Sequence, residues 1–336
     1  MSRRDFKTRH DYISTFMGMQ SVWSGNPMFP TWFSLACHAW SGHPPKLLES
    51  THSQRRITLP AGCTMLPLTP NEVPATVELW SRYFSKSSHS RCLVPASHVI
   101  KMLEEKRWEG LVVVNSRGEV VGTLVRRIIR NLHVDAVTWG LAGVADYFCV
   151  HPAWRKKGVA KALLARAINV TAPPFPPLLM FLESPRPSVP PLSAGILMSL
   201  EVSVPPDARQ AIRVDGSAAE AIWANCVKGV QVWTSEPGAE ISFWKADERG
   251  GAVVVWNTFH RVVPTGELIG IVLSDDMAAV EALASVKSPW GVFLACGSAK
   301  GRSSASAAWK INSVFQWIAY NLSVGFISRR FPILGF

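Results

Sequence analysis

Asp146-Tyr-Phe-Cys-Val-His-Pro-Ala-Trp-Arg-Lys-Lys-Gly-Val-Ala160 is the stretch of this sequence that decides the fold. It begins as an apolar strand over about 144–150, continues as a basic loop, and opens an amphipathic helix over about 158–169. The main-chain N–H groups at a helix N-terminus lack acceptors and carry partial positive charge. Because Gly158 also allows close approach of a ligand to the backbone, the stretch predicts a binding site for a pyrophosphate.

The loop itself has the pattern Arg155-x-x-Gly158-x-Ala160, with Lys156 and Lys157 between the first two positions. The three cations would add charge-assisted hydrogen bonds to a phosphate, and the small Ala160 leaves space beside it. The alternative is a solvated basic loop that ends in a glycine. The position of the loop between a buried strand and an amphipathic helix favours the interpretation as an anion site.

The length and composition of the whole chain limit the classes of protein and of partner that need to be considered. The chain has 336 residues, 48% of them apolar, and a formal net charge of +11. Its length predicts two domains or one fold with an internal duplication, and its apolar content excludes a disordered chain. The positive charge favours an anionic partner. No apolar run approaches the roughly 20 residues that span a bilayer, and the polar start lacks a secretory segment, so we expect neither a membrane span nor secretion.

The six cysteines are far apart in the sequence, and none has the Cys-x-x-Cys or His-x-x-x-His spacing of a zinc site. We therefore expect free thiols, no metal and a reducing, cytoplasmic compartment.

The first half of the chain predicts two helices, over 71–84 and 98–108, followed by a β-hairpin. The hairpin joins Leu111–Val114 to Glu119–Ile129 through a short turn that contains glycine. Residues 172–191 contain eight prolines, which excludes a regular helix or a central strand. This segment is either a loop over the domain junction or a polyproline ligand.

A similar order of elements recurs after the proline-rich segment. The predicted elements are strands at 241–247, 252–263, 267–273 and 292–296, a helix at 276–286 and a final helix at 308–322. The recurrence predicts an α/β protein built from a duplicated unit, with a mixed sheet flanked by helices. We divide the chain into an N-terminal arm (1–57) and two halves (58–205 and 206–336).

The stretch 146–160 resembles the acyl-CoA-binding motif of the GNAT acyltransferase superfamily, and Tyr147-Phe-Cys-Val-His151 is similar to the Phe-Leu-Cys-Val-His strand of N-myristoyltransferases. Other segments resemble that family in the same order along the chain. They are His38-Ala-Trp40, Pro44-Pro-Lys-Leu47, Thr58-Leu-Pro-Ala-Gly62 and, in the family's last helix, Gln316-Trp-Ile-Ala-Tyr-Asn321. The chain is thus identified as a divergent N-myristoyltransferase-like protein with a tandem GNAT-like fold.

The resemblance implies roles for particular residues. The main-chain amides of Tyr147 and Phe148, at a bulge, would form an oxyanion hole for the thioester carbonyl. Acyl-CoA is the implied co-substrate, with no permanently bound cofactor, and the arm would close over it. The implied CoA-binding residues are His38, Ala39, Trp40, Phe148, Cys149, Val150, Arg155, Lys156, Lys157, Gly158, Val159 and Ala160.

The second half would supply the acceptor groove, and the α-carboxylate of Phe336 would act as general base. Residues 331–336 are apolar, and burial of the carboxylate among them would raise its pKa toward a useful value. The alternative is a tail that only fills the core.

Three departures from the family pattern concern the acceptor side. Tyr83–Arg91 is basic and polar where the family has a run of acidic residues, so strongly basic peptides should be disfavoured. Ile311–Val314 replaces a Gly-Asp-Gly-Asn segment, and the proline-rich segment stands where the family has Tyr-Trp-His-Arg.

The leading interpretation is an acyl-CoA-dependent N-acyltransferase that transfers myristate to an amine such as a protein's N-terminal glycine, by direct attack on the thioester. The alternatives are a GNAT enzyme with another acyl group and amine, and a non-catalytic acyltransferase fold with a binding or structural role. We expect a monomer whose partners are acyl-CoA and a protein or peptide N-terminus.

Other charged segments have structural interpretations. Arg126 and Arg130 could bind nucleic acid, but their spacing on a strand favours a solvated face, so no nucleic-acid partner is expected. The pair Asp275-Asp276 precedes a helix and is typical of a cap. His151 is expected to be a packing or hydrogen-bonding residue.

Overall fold

The computed structural model of the protein describes residues 46–47, 58–84, 90–134, 137–169, 177–183, 193–228, 232–274, 276–297, 308–319 and 322–323. The N-terminal arm, apart from residues 46–47, and the C-terminal segment 324–336 lie outside the described residues. So do His38, Ala39, Trp40 and Phe336, whose roles stay predictions.

The described helices are α1 (Val73–Tyr83), α2 (Ala96–Glu104), α3 (Val159–Asn169), α4 (Ser217–Cys226) and α5 (Met277–Leu283). The described strands are β1 (Lys46–Leu47), β2 (Thr64–Pro67), β3 (Ser90–Cys92), β4 (Trp108–Val114), β5 (Val120–Val134), β6 (Val137–Val150), β7 (Leu178–Glu183), β8 (Ser193–Glu201), β9 (Ile212–Val214), β10 (Val232–Thr234), β11 (Ile241–Lys245), β12 (Ala252–Val262), β13 (Leu268–Val272), β14 (Trp290–Gly297), β15 (Lys310–Ala319) and β16 (Leu322–Ser323). None of these helices is long and apolar enough to cross a lipid bilayer.

Fourteen of the described strands form one mixed sheet in the order β2-β4-β5-β6-β7-β15-β8-β14-β13-β12-β11-β9, with β10 on β5 and β3 on β12. The strands β1 and β16 form a separate antiparallel pair. The same unit occurs twice in the large sheet. In the first half, β4, β5 and β6 form an antiparallel meander, and α3 leads to the parallel strand β7. In the second half, β11, β12 and β13 repeat the meander, and α5 leads to the parallel strand β14. The duplication predicted from the sequence is therefore confirmed.

The two halves exchange their last strands. β8, from the first half, pairs with β14 of the second half. β15, from the second half, lies between β7 and β8 and pairs with both. Because each half completes the sheet of the other, the tandem fold is one continuous sheet.

Most of the predicted elements are present. The helices predicted at 71–84 and 158–169 correspond to α1 and α3, and the helix predicted at 98–108 begins and ends earlier, as α2. Both predicted hairpins form, as β4–β5 and β11–β12. The predicted strands at 144–150, 267–273 and 292–296 and the helix at 276–286 also form, within one to a few residues of their expected bounds or, for β6, as part of a longer strand.

The helix predicted at 308–322 is wrong. Residues Lys310–Ala319 form strand β15, and the register against β8 shifts between Ile311 and Ser313. Five apolar residues at helical spacing suggested a helix, but four of them are β-branched or aromatic and suit a strand equally well. The pairing with two distant strands decides the outcome, because it satisfies the backbone on both edges.

The exclusion of a central strand from 172–191 is also wrong. Residues Leu178–Glu183, which contain no proline, form β7 between β6 and β15. The eight prolines flank this strand and never interrupt it. Their effect on pairing is therefore confined to the segments before and after β7.

Candidate active site

Helix α3 is packed closely onto the sheet at its N-terminal end. Val159 and Leu163 are buried, 1% and 0% exposed. A Cβ atom on Gly122 of β5 would lie 2.6 Å from the Val159 side chain and 3.2 Å from that of Leu163. Only a glycine allows the helix to approach β5 this closely. The first turn of α3 is thereby fixed at the end of β6.

The loop between β6 and α3 is a turn built from the motif that the sequence analysis singled out. Lys156 has a φ of +61° and Gly158 a φ of +91°. The Arg155 Nε donates a hydrogen bond of 3.0 Å to the carbonyl oxygen of Val150, which ties the loop to the end of the strand. Among the described residues, a Cβ atom on Gly158 would meet only the Thr58 carbonyl oxygen, at 3.9 Å, so this part of the structure leaves space next to Gly158.

The first turn of α3 presents main-chain donors to this space. Among the described residues, no acceptor is found for the N–H groups of residues 157–160, and the carbonyl of Gly158 accepts from Ala162 at 3.0 Å. Lys156 and Lys157 are exposed, and the Lys157 ammonium lies 5.0 Å from the centre of the Trp154 ring. Free amides, helix dipole and cations together suit an anion such as a pyrophosphate.

A gap opens between β6 and β7 next to this helix terminus. The two parallel strands pair only at Gly143 with Leu178, Val144 with Leu179 and Ala145 with Met180. Beyond Ala145, β6 continues to Val150 without pairing to β7, whereas β7 continues to Glu183 in contact with β15 on its other edge. Among the described residues, no strand pairs with this edge of β6 over 146–150, which we call the free edge of β6.

A β-bulge lies where this gap begins. Thr123 of β5 is opposite Cys149 and Val125 is opposite Asp146, so that Tyr147 and Phe148 together face a single residue of β5. Tyr147 has a φ of +46°, which a bulky residue adopts only under structural constraint. Bulges re-aim backbone groups and are common at active sites. The bulge that the resemblance implied is therefore present at the expected residues.

Two side chains hold the backbone of the bulge. The Tyr147 N–H donates to the Asp146 carboxylate at 2.7 Å. The Thr123 hydroxyl donates to the Tyr147 carbonyl at 3.0 Å and accepts from the Trp80 indole N–H at 2.8 Å. Thr123 and Trp80 are both completely buried. The bulge is thus a rigid feature rather than an irregularity of the strand.

The ring of Tyr147 packs into an aromatic cluster under α1 and α2. The ring centroid of Tyr147 lies 4.5 Å from Trp80, 5.3 Å from Trp108 and 5.5 Å from Phe84. Tyr147, Trp80 and Trp108 are each at most 3% exposed. The face of the bulge toward α1 and α2 is therefore filled by aromatic rings.

A buried ion network connects the bulge with the second half of the chain. The Arg127 guanidinium lies 2.8 Å from Asp146, 3.5 Å from Glu240 and 4.7 Å from the centre of the Trp256 ring. Burial alone would lower the pKa of Arg127, but the two carboxylates outweigh it and raise the pKa. Burial would raise the pKa of Glu240, but His98 and Arg127 outweigh it and hold the pKa below its ordinary value. Arg127 and Glu240 are therefore both ionised at neutral pH.

The solvated arginine face expected along β5 is only partly correct. Arg130 is exposed, but Arg126 and Arg127 are 5% and 3% exposed, and Arg126 forms an ion pair with Glu109. Both buried arginines are neutralised by carboxylates. Neither is therefore available to a nucleic-acid backbone.

Cys149 lies next to the bulge, and its thiol is buried. Burial raises the pKa of its thiol to about 12, against a smaller lowering effect of Arg155. The nearby Cys92 is likewise buried, with a raised pKa. Since the thiolate is the reactive form of cysteine, neither thiol suits an acyl-enzyme mechanism. The four cysteines Cys63, Cys92, Cys149 and Cys226 are free thiols.

His151 packs and forms hydrogen bonds, as expected. Its Nδ1 accepts from the Ala153 N–H at 3.2 Å, and its ring meets the Tyr83 ring edge-on at 4.8 Å. In the described part of the chain, no cluster of His, Cys, Asp or Glu could hold a metal ion.

The structure brings together all described residues that the sequence analysis assigned to CoA and the oxyanion hole, from Tyr147 to Ala160. It adds Gly122, Thr123, Asp146, Arg127 and Glu240, which sequence reasoning missed. A glycine and a threonine within a β-branched strand are weak signals by themselves. The pairing of Arg127 with Glu240 joins residues more than 100 positions apart and leaves no local pattern.

Comparisons with known proteins agree with this geometry. Residues 73–172 match the family model described as Acetyltransferase (GNAT) family. A crystal structure of Saccharomyces cerevisiae N-myristoyltransferase with bound myristoyl-CoA matches with a TM-score of 0.64 and 10% identity, covering 92% of this chain and 94% of that one. The chain has a tandem GNAT-type acyltransferase fold.

Further structures of the yeast enzyme support the same assignment. One with bound myristoyl-CoA has a TM-score of 0.60 at 10% identity and covers 90% of this chain and 87% of that one. Another, with inhibitors also bound, has a TM-score of 0.58 at 10% identity and covers 84% and 86%. No curated protein matches this chain in sequence. The GNAT-type fold supports an acyl-CoA N-acyltransferase.

Proposed function

We propose that the chain transfers an acyl group from acyl-CoA to an amine by direct attack on the thioester. A single observation carries the proposal: strand β6 has both a bulge at a free strand edge and, directly after it, a basic helix N-terminus with available amides. One extended ligand with a pyrophosphate at one end and a thioester at the other would occupy both.

The proposed reaction uses the groups of β6 and α3 as follows. The amides of residues 157–160 and the cations Arg155, Lys156 and Lys157 bind the pyrophosphate of CoA. The pantetheine arm lies along the free edge of β6, and the thioester carbonyl reaches the bulge. Main-chain N–H groups there stabilise the charge on oxygen in the tetrahedral intermediate.

The acceptor amine then forms the new bond to the carbonyl carbon, and the thiolate of CoA leaves. The amine proton must go to a base, and the α-carboxylate of Phe336 remains the predicted base. The raised pKa of Cys149 supports direct transfer rather than an acyl-cysteine intermediate. The proposed acceptor is a protein or peptide N-terminus such as a glycine.

Myristate is the acyl group that the sequence resemblance implies, and the yeast enzyme of similar fold binds myristoyl-CoA. A second candidate is a short acyl group, which one observation favours. The α1 and α2 face of the bulge is filled by Trp80, Trp108 and Phe84 around Tyr147. A chain of fourteen carbons that extended to this face would have to displace these rings.

The segment Tyr83–Arg91, which the family resemblance places near the acceptor peptide, is positively charged. Of Lys86, His89 and Arg91, only Arg91 is described, and it is exposed on β3. We propose that strongly basic peptides are disfavoured for this reason. A panel of glycine peptides that differ only in charge tests this, and a preference for lysine-rich peptides contradicts it.

Isothermal titration with CoA, acetyl-CoA and myristoyl-CoA tests the proposed function. Binding of CoA with a gain from one of the acyl groups is expected, followed by release of free thiol when an acceptor peptide is added. Failure of all three ligands to bind would overturn the proposal. Binding without any transfer to a broad set of amines would favour the non-catalytic fold.

A further inference from the structure

We propose that Thr123 and Trp80 are positioning residues, which aim the Phe148 N–H at the thioester carbonyl. This inference rests on the proposed function, because it concerns how the same bulge stabilises the reacting oxygen. Neither side chain touches the substrate in this proposal. Both act through the backbone of β6.

The direction of the hydrogen bonds in this relay is fixed by chemistry. An indole N–H can only donate, so the Trp80 Nε1 donates to the Thr123 Oγ1 across 2.8 Å. The single hydroxyl proton of Thr123 is then left for the Tyr147 carbonyl oxygen, 3.0 Å away. Since both side chains are completely buried, no water competes for either bond.

Because the peptide group is planar, the hydrogen bond from Thr123 to the Tyr147 carbonyl also sets the direction of the Phe148 N–H. The carbonyl of Tyr147 and the N–H of Phe148 belong to one peptide unit, and in a trans peptide they point in opposite directions. Thr123 belongs to β5 and holds the carbonyl toward that strand. The N–H of Phe148 therefore points away from β5, toward the edge from which β7 has diverged.

The second amide of the bulge is already engaged. The Tyr147 N–H donates to Asp146 at 2.7 Å, and Asp146 is itself held by Arg127 at 2.8 Å. In this arrangement the Phe148 N–H is the principal donor of the oxyanion hole. The two-amide hole implied by the sequence resemblance thus becomes one aimed donor and one structural donor.

A regular antiparallel strand has no need of such a relay, because its carbonyls accept from the neighbouring backbone. At the bulge the register of the ladder shifts, and the Thr123 hydroxyl donates to the Tyr147 carbonyl there. A hydroxyl held by a second buried donor leaves little freedom to the peptide. Preorganised donors of this kind need no reorientation during the reaction.

The test compares Thr123→Val, which keeps the shape and removes the hydroxyl, with Thr123→Ser, which keeps the hydroxyl. We expect Thr123→Val to lower kcat about 10- to 100-fold, since loss of a whole oxyanion donor costs about 100- to 1,000-fold. The dissociation constant for acyl-CoA should change less than about twofold, because the pyrophosphate site is untouched. Thr123→Ser should retain most of the activity.

A spectroscopic readout makes the test independent of the acceptor. Acetyl-CoA and myristoyl-CoA labelled with carbon-13 at the carbonyl are bound to the protein, and the carbonyl stretch is measured by infrared difference spectroscopy. A hydrogen bond from Phe148 lowers this frequency, so the shift should be present in the wild type and in Thr123→Ser and reduced in Thr123→Val. If Thr123→Val does not fold, Trp80→Phe, which removes the indole donor, replaces it.

The proposal is overturned if Thr123→Val leaves both kcat and the carbonyl frequency unchanged, or if Thr123→Ser fails as badly as Thr123→Val. It is also overturned if bound acyl-CoA shows no carbonyl shift in the wild type. Failure of the wild type to bind any acyl-CoA overturns the proposed function itself, and with it this inference. The binding titration therefore separates the two failures.

Discussion

The two halves of the molecule contain the same crossover but treat its helix N-terminus in opposite ways. In the first half, the turn from β6 to α3 carries Arg155, Lys156 and Lys157, and the amides of the first helical turn have no described acceptor. In the second half, the turn from β13 to α5 ends in Asp276, whose carboxylate accepts from the Ala279 N–H at 3.0 Å. The N-terminus of α3 is thus available to an external anion, whereas the N-terminus of α5 is capped by the carboxylate of Asp276.

The pairing of the two parallel strands also differs between the halves. In the first half, β6 and β7 pair at three positions and then separate. In the second half, β13 and β14 pair at five positions over the whole length of β13. The bulge also lies elsewhere, in β12, between Asn257 and His260. The proposed CoA site therefore rests on features that topology does not supply, namely an uncapped basic turn, a strand gap and a bulge on the same strand.

The largest expected effect is reversal of charge in the open turn. Lys156→Asp combined with Lys157→Asp should weaken acyl-CoA binding by at least about 100-fold, because two charge-assisted hydrogen bonds, each worth about 1.5–3 kcal/mol, are lost. Isothermal titration measures the change. Lys228→Asp combined with Lys287→Asp, two exposed lysines of the second half, makes the same change of net charge and should bind normally. Equal loss in both double variants would contradict a local site.

Gly158→Val tests the backbone of the open turn. A β-branched residue at a φ of +91° is strained by about 1–3 kcal/mol, so the turn should change shape and acyl-CoA binding should weaken about 10- to 100-fold. The matched control is Gly216→Val, which introduces similar strain at a φ of +65° before α4 in the second half. An unchanged dissociation constant for Gly158→Val would show that this turn does not contact the ligand.

The contribution of the second half to the site can be measured through Glu240. Because its pKa is held below the ordinary value, its ionised form stabilises the folded state. That contribution is present above about pH 4.3 and is lost as the pH falls through the lowered pKa of the folded state. Glu240→Gln should cost about 1–3 kcal/mol at pH 7, the cost of leaving a buried charged partner poorly satisfied.

Urea unfolding at a series of pH values checks this prediction. The difference in unfolding free energy between wild type and Glu240→Gln should shrink as the pH falls below about 4. A constant difference from pH 7 to pH 3 would show that Glu240 is not ionised against Arg127 in the folded protein.

The smallest effect is expected at the capped terminus. Asp276→Ala should cost about 0.5–2 kcal/mol of stability, the usual range for an N-cap, and should leave acyl-CoA binding unchanged. Removal of the cap should not create a second CoA site, because β13 and β14 remain paired along their length. Binding of a second equivalent of CoA by this variant would show that the cap alone separates the two halves.

Local chemistry made much of the site predictable. The turn Arg155–Gly158 and the start of α3 follow from residues within a few positions of one another, and the structure confirms the helix and the strand. The bulge beside them was implied only by the family resemblance, and it is also present. The capping role of Asp276 is equally local and is also confirmed. The hairpins followed from alternating β-branched runs joined by short glycine turns.

Other features depend on partners that are distant in sequence. β15 was predicted as a helix because its apolar spacing fits a helix period, whereas its pairing with β7 and β8 makes it a strand. Arg126 was expected on a solvated face, but it is buried and forms an ion pair with Glu109 of the neighbouring strand. Neither partner could be identified from the residues around it.

The sequence by itself determined the duplicated order of elements and the basic turn with its glycine, because helix starts, turns and anion sites depend on neighbouring residues. Only the tertiary structure decided which strands separate, how the halves exchange β8 and β15, and how Thr123 and Trp80 hold the bulge. These features arise from hydrogen bonds and packing between remote segments. The stabilisation that these contacts provide exists only once the sheet has assembled, so it cannot be inferred from any one segment of the sequence.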